Sequence, residues 1–326
     1  MNVTVGTFNL NNLFSRFNFK GAIETLRQSN GSAGALTFRY EFTDPENVKI
    51  RTFMGRLVKA KPPEDTQIIA NRILSMNVDV LSVQEVENIH ILKAFNRDYL
   101  NNLYPYKALI EGNDPRYIDI GVLSKLPIQA ITSYQTTVHP DDPAETVFGR
   151  DLLEVEIWNP TRTKKLFTLY NNHLKSHFVP HTQDPITGKQ KADLRRKRQS
   201  EMIAEIVTSR MRPNSAYIIV GDMNDPVNSA SLSPFVTSDD LNLHNALENP
   251  TETRPAKAES SGPDPQTTAW THRFKRTGQP AEHLLYDQIW LSPSLFTKQT
   301  GAWIDRRTKH GGDGSDHDPA WIKLKL

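Results

Sequence analysis

The residues with the clearest chemical potential lie near the end of the chain, in the stretch GGDGSDHDPAWIKL at residues 311–324. Asp316, His317 and Asp318 stand side by side there, ahead of an apolar segment typical of a strand. A carboxylate beside an imidazole can fix a histidine tautomer, accept a proton or stabilise charge during hydrolysis. Gly, Asp and Ser also form turns, so these residues could equally be the turn before the last strand, with Asp318 as its cap.

Polar side chains of similar kinds lie on or just after several other strand-like segments. They are Asn9, Asn11, Glu85, His173, Asp222 and Asn224. Any one of them could belong to a turn, because Asn and Asp bond readily to nearby backbone groups. Ligand and catalytic groups also gather at strand ends, where a rigid sheet aims them into one crevice. The repetition along the chain favours such a crevice.

The residue types favour a hard divalent cation over zinc. Glu85 and nearby oxygen donors suit Mg²⁺, with Mn²⁺ or Ca²⁺ as alternatives. The chain has no cysteine, which excludes disulfides, thiolate ligands and a cysteine nucleophile. His173, His177 and His181 are spaced four apart, as on one helix face, but Pro180 and the preceding strand-like segment argue against a helix. Of the three we retain His173, which is nearest to a strand end.

The elements that must position these residues alternate along the chain. VTVGTFNL predicts a first strand, TQIIANRILSM a helix, and VDVLSV a buried strand that stops at Gln84-Glu85. Further strands are predicted at 106–111, 120–124, 152–157, 166–172, 216–220, 287–292 and 320–326, and further helices from Ile89 to Leu100 and from about Leu194 to Met211. This alternation predicts an α/β fold.

Composition indicates one globular domain. The 326 residues show no internal repeat and no linker that separates two halves, so we predict a single domain over 1–326, with polar surface insertions at 15–63 and 249–281. A net charge of +2 does not by itself indicate a nucleic-acid binder. No segment approaches the ~18 apolar residues of a membrane span, and the N-terminus does not resemble a signal peptide. We expect a cytoplasmic monomer, or a secreted one if a signal peptide has been removed.

A local basic cluster offers a contact for phosphates. KQKADLRRKRQ places six basic residues around the start of the long predicted helix: Lys189, Lys191, Arg195, Arg196, Lys197 and Arg198. The cluster could be a solvated helix face or a strip that binds a nucleic-acid backbone. Further basic residues that could extend it are Arg51, Arg56, Lys59 and Lys61, and aromatic residues that could stack on bases or pack in loops are Tyr117, Phe178, Trp270 and Phe274.

Seven segments in order resemble the signature motifs of the endonuclease/exonuclease/phosphatase superfamily. They are TFNLNNL, LSVQEVEN, FGRDLLEVEI, YNNHLKS, VGDMNDP, YDQIWLS and GSDHDPAWIKL. The superfamily includes pancreatic-type deoxyribonuclease, exonuclease III-type abasic endonucleases, neutral sphingomyelinases and inositol-polyphosphate 5-phosphatases. The resemblance implies a four-layered α/β sandwich with two packed mixed β-sheets flanked by helices. Residues 15–63, 174–194 and 249–281 fall outside the motifs and would be insertions.

The resemblance also implies a metal site and a phosphate site. Glu85 would be the principal metal ligand, with Asn11 and Asp316 near the metal, although several relatives carry aspartate at the position of Asn11. Around the scissile phosphate it implies His173, Asp222 and Asn224, with Arg150 as a positive neighbour, Asn9 bonded to Asp222 or to substrate, and His317 oriented by Asp287.

The function predicted on these grounds is that of a divalent-metal-dependent phosphodiesterase, a nuclease acting on DNA or RNA. The alternative is a phosphoesterase that uses the same site on a small-molecule or lipid phosphate ester. A non-catalytic binding member of the fold is disfavoured, because such a protein should have lost some of these site residues and all of them are present.

Overall fold

The computed structural model describes residues 1–15, 61–179, 183–252, 269–275, 278–307 and 313–326. In this part of the chain two mixed β-sheets pack face to face, and helices cover the outer face of each sheet. The predicted four-layered α/β sandwich is therefore confirmed. The predicted insertions at 15–63 and 249–281 fall largely outside the described residues, as do Arg51, Arg56, Lys59 and His181.

Sheet A is built around the parallel pair β1 (Asn2–Leu13) and β2 (Val80–Val86). β17 (Ala320–Lys325) runs antiparallel to β1, and β4 (Asp119–Ser124) runs antiparallel to β2. The described strands that complete sheet A are β3 (Tyr106–Leu109), β12 (Thr251–Glu252) and β16 (Gln299–Ile304).

Sheet B is built around a second parallel pair, β9 (Lys165–His173) and β10 (Tyr217–Asp222). β8 (Leu152–Trp158) runs antiparallel to β9, and β15 (Asp287–Leu291) runs antiparallel to β10. β5 (Ile128–Ser133) and β11 (His244–Asn245) flank them. Two short hairpins stand apart, namely β6 (Val138–His139) with β7 (Asp142–Thr146) and β13 (His272–Phe274) with β14 (Glu282–Leu284).

The helices in the described part of the chain are α1 (Pro63–Met76), α2 (Ile89–Asp98), α3 (Pro185–Arg210), α4 (Ser233–Thr237) and α5 (Pro293–Phe296), with a 3₁₀ turn at Ala230–Leu232. α1 and α2 pack on sheet A, and α3 and α4 pack on sheet B. The central strands are therefore covered on both faces, which explains their nearly continuous apolar runs. In β10, for example, Ile218 and Val220 face the core between the sheets, whereas Ile219 faces the helices.

A polar bridge crosses the core between the two sheets. Gln84 of β2 donates its side-chain amide to Oδ1 of Asn171 in β9, at 2.9 Å. Asn171 in turn donates to the backbone carbonyl of Gly121 in β4, at 2.8 Å, and Thr7 donates to Gln84 at 3.3 Å. The three side chains are fully buried. Buried amides are stable only with such partners, so this bridge holds the sheets in one relative position.

Several sequence predictions need correction. The strand predicted to stop at Gln84-Glu85 continues to Val86. The helix predicted from Leu194 begins at Pro185, because Asp184 caps the Thr187 N–H at 2.9 Å and starts a helix whose first half is too polar to show apolar periodicity. Residues 185–194 of the predicted 174–194 insertion are therefore helical.

Trp270 lies within the predicted insertion at 249–281. It is completely buried beneath the Arg306 guanidinium, which lies 4.2 Å from the ring centre. Part of that segment therefore belongs to the packed structure. None of the helices in the described ranges has both the length and the apolar character needed to cross a membrane.

Candidate active site

The polar residues singled out in the sequence converge at one edge of the two sheets. The parallel strands β1, β2, β9 and β10 end at this edge, and the antiparallel strands β8, β15 and β17 begin there. His173 and Asp287 are both register partners of Asp222. The two sheets therefore each supply one side of a shared crevice.

On the sheet A side, two neighbouring strands bulge at the same level. The register of β1 against β2 shifts just after Asn9, and the register of β2 against β4 shifts around Glu85. Asn11 and Glu85 have φ angles of 46° and 61°. Asn tolerates this left-handed region, whereas it costs most other residues about 1–2 kcal/mol. A bulge redirects a side chain, and here it presents a carboxylate on strained backbone.

The donor set at this point fits a hard divalent cation. Oε2 of Glu85 accepts a hydrogen bond from the backbone N–H of Asn12 at 3.0 Å, and Oδ1 of Asn11 accepts one from the side-chain amide of Asn12 at 3.1 Å. The Asp316 side chain is 58% exposed. Burial and the nearby Asp316 carboxylate raise the pKa of Glu85. Two repelling carboxylates with an amide oxygen nearby would be stabilised by a cation, and their oxygen chemistry suits Mg²⁺, Mn²⁺ or Ca²⁺.

Two other groups of potential ligands lie in the described part of the chain. His272, Asp316 and His317 form one, Asp222, Asp287 and His317 form the other, and within each group the ligand atoms lie within 4.8 Å of one another. His317 is shared by both, but its two ring nitrogens already face carboxylates. A protonated imidazole cannot ligate a metal, so Glu85 with Asp316 is the better cation site.

On the sheet B side, Asp222 is held by hydrogen bonds on a regular strand. The preceding Gly221 has φ 137°, and a Cβ there would lie 1.9 Å from the Asn172 carbonyl oxygen, so only glycine fits. Asp222 is buried, with Oδ2 accepting the Asn9 amide at 3.0 Å and Oδ1 accepting the Asn224 N–H at 2.9 Å. Burial raises the pKa of Asp222 to about 7. A carboxylate with such a pKa can exchange a proton near neutral pH.

His317 lies between two carboxylates. Its Nδ1 is 2.7 Å from Oδ2 of Asp287, and its Nε2 is 3.8 Å from Oδ2 of Asp222. Burial alone would lower the pKa of His317, but Asp287 and Asp222 outweigh it and hold that pKa well above its ordinary value. His317 is therefore a cation at neutral pH, with Asp287 fixing its orientation.

The loop that carries His317 is fastened to β1. The Ser315 hydroxyl donates to the Asn9 carbonyl at 2.7 Å and accepts the His317 N–H at 3.0 Å. Asp318, expected to cap the turn, is instead fully buried and accepts from Arg72 of α1 at 3.0 Å, with Arg307 3.4 Å away. Asp318 therefore anchors the loop to the helix layer, while its neighbours face the crevice.

His173 ends β9 and has the opposite protonation to His317. Its Nε2 lies 3.4 Å from Oδ2 of Asp222. Burial, followed by the charges of Arg150 and His317, lowers the pKa of His173 well below its ordinary value. Its Nδ1 is buried without a hydrogen-bond partner among the described residues. A neutral imidazole and an imidazolium thus flank the same carboxylate.

Arg150 and Asn224 converge on one backbone carbonyl next to His173. Arg150 Nη1 donates to the Leu174 oxygen at 3.2 Å, and the Asn224 amide donates to the same oxygen at 3.2 Å. Arg150 is buried and its Nε lies 3.0 Å from Asp114. The structure thus brings all the predicted catalytic and metal residues to one crevice, together with Asn9 and Arg150.

The predicted basic strip does not form one surface. Arg196 is fully buried, with its Nε 2.8 Å from Asp225, so it is not available to a nucleic-acid backbone. Lys197 faces Glu201 at 3.7 Å, and Arg195 donates to the Thr146 carbonyl at 3.1 Å. Successive helix positions point in different directions, which is why a run of charge in the sequence did not become a strip. Arg195, Arg196 and Lys197 therefore do not lie in one strip; of the three, only Arg195 lines the cavity that contains Arg150, together with Lys191 and Arg198 from the same segment.

Four further side chains of the site were not assigned to it from the sequence: Lys61, Arg116, Lys175 and His272. Lys61 was placed in the basic strip, but its Nζ donates to the Asn11 carbonyl at 2.6 Å. His272 lies 4.8 Å from the His317 ring and 5.0 Å from the Tyr286 ring, centre to centre. Only Lys175 had a signal, since it lies two residues after His173 in the YNNHLKS motif.

Solved structures share this fold. An endonuclease/exonuclease/phosphatase protein from Bacteroides vulgatus is 12% identical, with a TM-score of 0.60 and coverage of 100% of this chain and 99% of that one. Truncated TDP2 from Caenorhabditis elegans is 16% identical, with a TM-score of 0.57 and coverage of 100% and 98%. The mannosyl-6-phosphatase of Bacteroides thetaiotaomicron is 15% identical, with a TM-score of 0.53 and coverage of 99% and 100%. Identities this low show the fold alone.

No curated protein sequence matches the chain. The family model described as "Endonuclease/Exonuclease/phosphatase family", however, matches residues 6–317, from β1 through the loop that carries His317. This match spans nearly the whole chain and both halves of the crevice, so the chain belongs to the endonuclease/exonuclease/phosphatase family and is a metal-dependent hydrolase of phosphoric esters.

Proposed function

We propose that this hydrolase is a phosphodiesterase that cleaves nucleic acid, DNA or RNA. The observation that carries the proposal is a groove of about 870 Å³ that begins at Arg150, beside His173, and runs along the start of α3. We call it the basic groove. Among the described residues that line it, the cations are Arg116, Arg150, Lys175, Lys191, Arg195 and Arg198, and the acids are Asp114, Asp142 and Glu145.

The excess of cations suits a substrate with more than one phosphate. A phosphate monoester of a small molecule would need the metal centre and little beyond it. A polynucleotide continues past the scissile phosphate, and its backbone is attracted to positive side chains along its path. A cation-rich groove that has Arg150 and Lys175 in its lining, next to His173 of the crevice, supports the second kind of substrate.

The site residues divide the tasks of hydrolysis. A divalent cation held by Glu85 and Asp316, with Asn11 nearby, would offset negative charge on the phosphate and on the departing oxygen. Asp222 would take a proton from the attacking water as a new phosphorus–oxygen bond forms and the ester bond breaks. The departing oxygen would be protonated from solvent.

His317 and Arg150 would both stabilise the transition state by their positive charge. The cationic His317 can donate its Nε2 hydrogen to a phosphate oxygen, and Asp287 keeps the ring in place for this. The buried Arg150 adds a fixed positive charge. The neutral His173 would act as a hydrogen-bonding group, and Asn9 and Asn224 would keep the Asp222 carboxylate in position.

One panel of substrates tests the proposal. Plasmid DNA, single-stranded DNA, RNA, bis-p-nitrophenyl phosphate and p-nitrophenyl phosphate would each be incubated with Mg²⁺, Mn²⁺ or a chelator. We expect cleavage of the nucleic acids and of the diester, lost in chelator. Hydrolysis of the monoester alone would overturn the proposal and favour a phosphatase for small phosphate esters, the activity named for the Bacteroides thetaiotaomicron neighbour.

A further inference from the structure

The basic groove has fewer acids than its cations need. Asp114 serves two of them, since its Oδ2 lies 2.9 Å from Arg116 and 3.0 Å from Arg150. Lys175 has no carboxylate partner among the described ion pairs, and its ammonium donates to the carbonyls of Ser176 and Phe178, at 2.8 and 2.9 Å. One carboxylate shared by two arginines, with an ammonium beside them, leaves positive charge for an anion.

The electrostatics of Lys175 agree with this geometry. Burial, followed by the charges of Arg150, Arg116 and Arg196, lowers the pKa of Lys175 to about 8. Neighbouring cations lower a lysine pKa only where acids do not fully offset them. A phosphate bound here would relieve the repulsion among these groups.

An exposed aromatic ring stands in the wall of the same groove. Phe178 is 55% exposed, more than the two other exposed phenylalanines of the described residues, Phe274 at 42% and Phe296 at 40%. Its carbonyl is held by the Lys175 ammonium, and the Lys175 N–H is held by Oε1 of Gln199 in α3, at 2.8 Å. The ring is therefore carried on a segment that the helix layer fixes.

Cations beside an exposed, positioned aromatic ring are the features with which proteins bind single-stranded nucleic acid. The cations follow the backbone, and a base stacks on the ring. Stacking of this kind needs an unpaired base, because bases in a duplex are already stacked on their neighbours.

We propose that the basic groove binds a nucleotide next to the scissile phosphate of a single-stranded substrate, with its phosphate at Lys175 and Arg116 and its base on Phe178. This subsite rests on the proposed nuclease function and adds to it a preference for unpaired strands. Phe178 and Lys175 are then binding residues, since neither reaches the metal centre.

Four variants test the subsite, two in the groove and two matched controls. The groove variants are Phe178→Ala and Lys175→Gln. The controls are Phe296→Ala, which removes another exposed phenylalanine, and Lys325→Gln, which removes a lysine on the surface away from the groove. Phe296 lies in α5, after the end of β15, and Lys325 is the last residue of β17, and both strands begin at the crevice. Phe178→Trp serves as a rescue variant.

Each variant would be assayed on a single-stranded decanucleotide, the same sequence as a duplex, and bis-p-nitrophenyl phosphate. For each groove variant we expect KM on the single strand to rise about tenfold, as for the loss of one stacked base, with kcat little changed. The controls should match wild type, and Phe178→Trp should restore the KM.

The outcomes separate the subsite from the proposed function. If wild type cuts nucleic acid but groove and control variants have the same KM on the single strand, or if the duplex is preferred, the subsite is wrong and the nuclease function stands. If wild type cuts no nucleic acid at all, the proposed function fails and the subsite fails with it. Melting temperatures of all variants identify any loss that comes from misfolding.

Discussion

The two sheets hold their halves of the active site in different ways. On the sheet A side, the functional residue Glu85 itself has a left-handed backbone, at a bulge. On the sheet B side, the positive φ angles fall on Gly221 and Asn224, residue types that tolerate them, and Asp222 between them is fixed by hydrogen bonds. The metal side of the crevice thus carries backbone strain, which the packing of the surrounding fold must offset. The acid–base side is fixed by a network of hydrogen bonds.

The largest loss of turnover is expected from a substitution on the metal side. Glu85→Gln removes a charge from the cation site while keeping the shape of the side chain, so we expect turnover to fall about 1,000-fold or more, the scale of losing the charge stabilisation that a metal supplies. Calorimetric titration with Mg²⁺ or Mn²⁺ should show weakened binding. Glu87→Gln is the matched control, because Glu87 also accepts a backbone N–H from the β1 end, that of Ser15 at 3.0 Å. Equal losses in both variants would contradict the assignment of Glu85.

The loop shared by both halves should depend on Asp318 for stability. Asp318→Ala leaves Arg72 and Arg307 without this buried partner, and breaking such a pair costs about 3–5 kcal/mol of unfolding free energy. Chemical denaturation measures the loss. Turnover per folded molecule should fall far less than in His317→Ala, and a purely catalytic defect with unchanged stability would show that Asp318 faces the chemistry.

Substitutions of His317 and Asp287, in the polar network of the acid–base side, should have non-additive effects on kcat. His317→Ala is expected to lower kcat about 100-fold, the scale of losing one transition-state donor. Asp287→Asn should lower kcat because it no longer holds His317, and the double variant should be little worse than His317→Ala. Additive losses in this double-mutant cycle would mean that Asp287 acts independently of the histidine.

One buried acid next to Arg150 should make stability depend on pH. Burial raises the pKa of Asp151 to about 6. Because the unfolded-state pKa is near 3.9, the native protein binds this proton more tightly, so the contribution favours folding at low pH and is lost as pH rises from about 4 to 6. Asp151→Asn should therefore be about 2 kcal/mol more stable than wild type at pH 7.5, with no such advantage at pH 4. Denaturation at both pH values measures the difference.

The smallest expected effect is the difference in stability between glycine and alanine variants at Glu85, on the sheet A side, and at His173, on the sheet B side. Glu85→Gly should be about 1 kcal/mol more stable than Glu85→Ala, because glycine relieves the strain of a positive φ. On the regular strand, His173→Gly should instead be less stable than His173→Ala by about 0.5–1 kcal/mol. Differences of the same sign at both positions would remove the contrast between the sheets.

The sequence predicted the sandwich and the convergence of its polar strand ends, because apolar runs and family motifs are local patterns. It could not predict where side chains point on a polar helix. Arg196, taken for a surface residue, is buried against Asp225, and Lys61, taken for part of a distant strip, lies beside Asn11. Nor could it predict Asp318, whose arginine partners are 246 and 11 positions away in the chain. Contacts of that range depend on the folded topology, which no local pattern records.

The buried amide bridge between Gln84 and Asn171 has a consequence for how the enzyme loses activity. Apolar side chains can pack after one sheet slides past the other, but these amides cannot, since a shift of one residue is about 3.3 Å and would leave both groups unpaired. Glu85 follows Gln84, and His173 lies two residues beyond Asn171, so the same slide would separate the metal side from the acid–base side. Catalysis therefore requires the sheets to be docked in one alignment, and activity lost on heating should track their separation rather than local fraying.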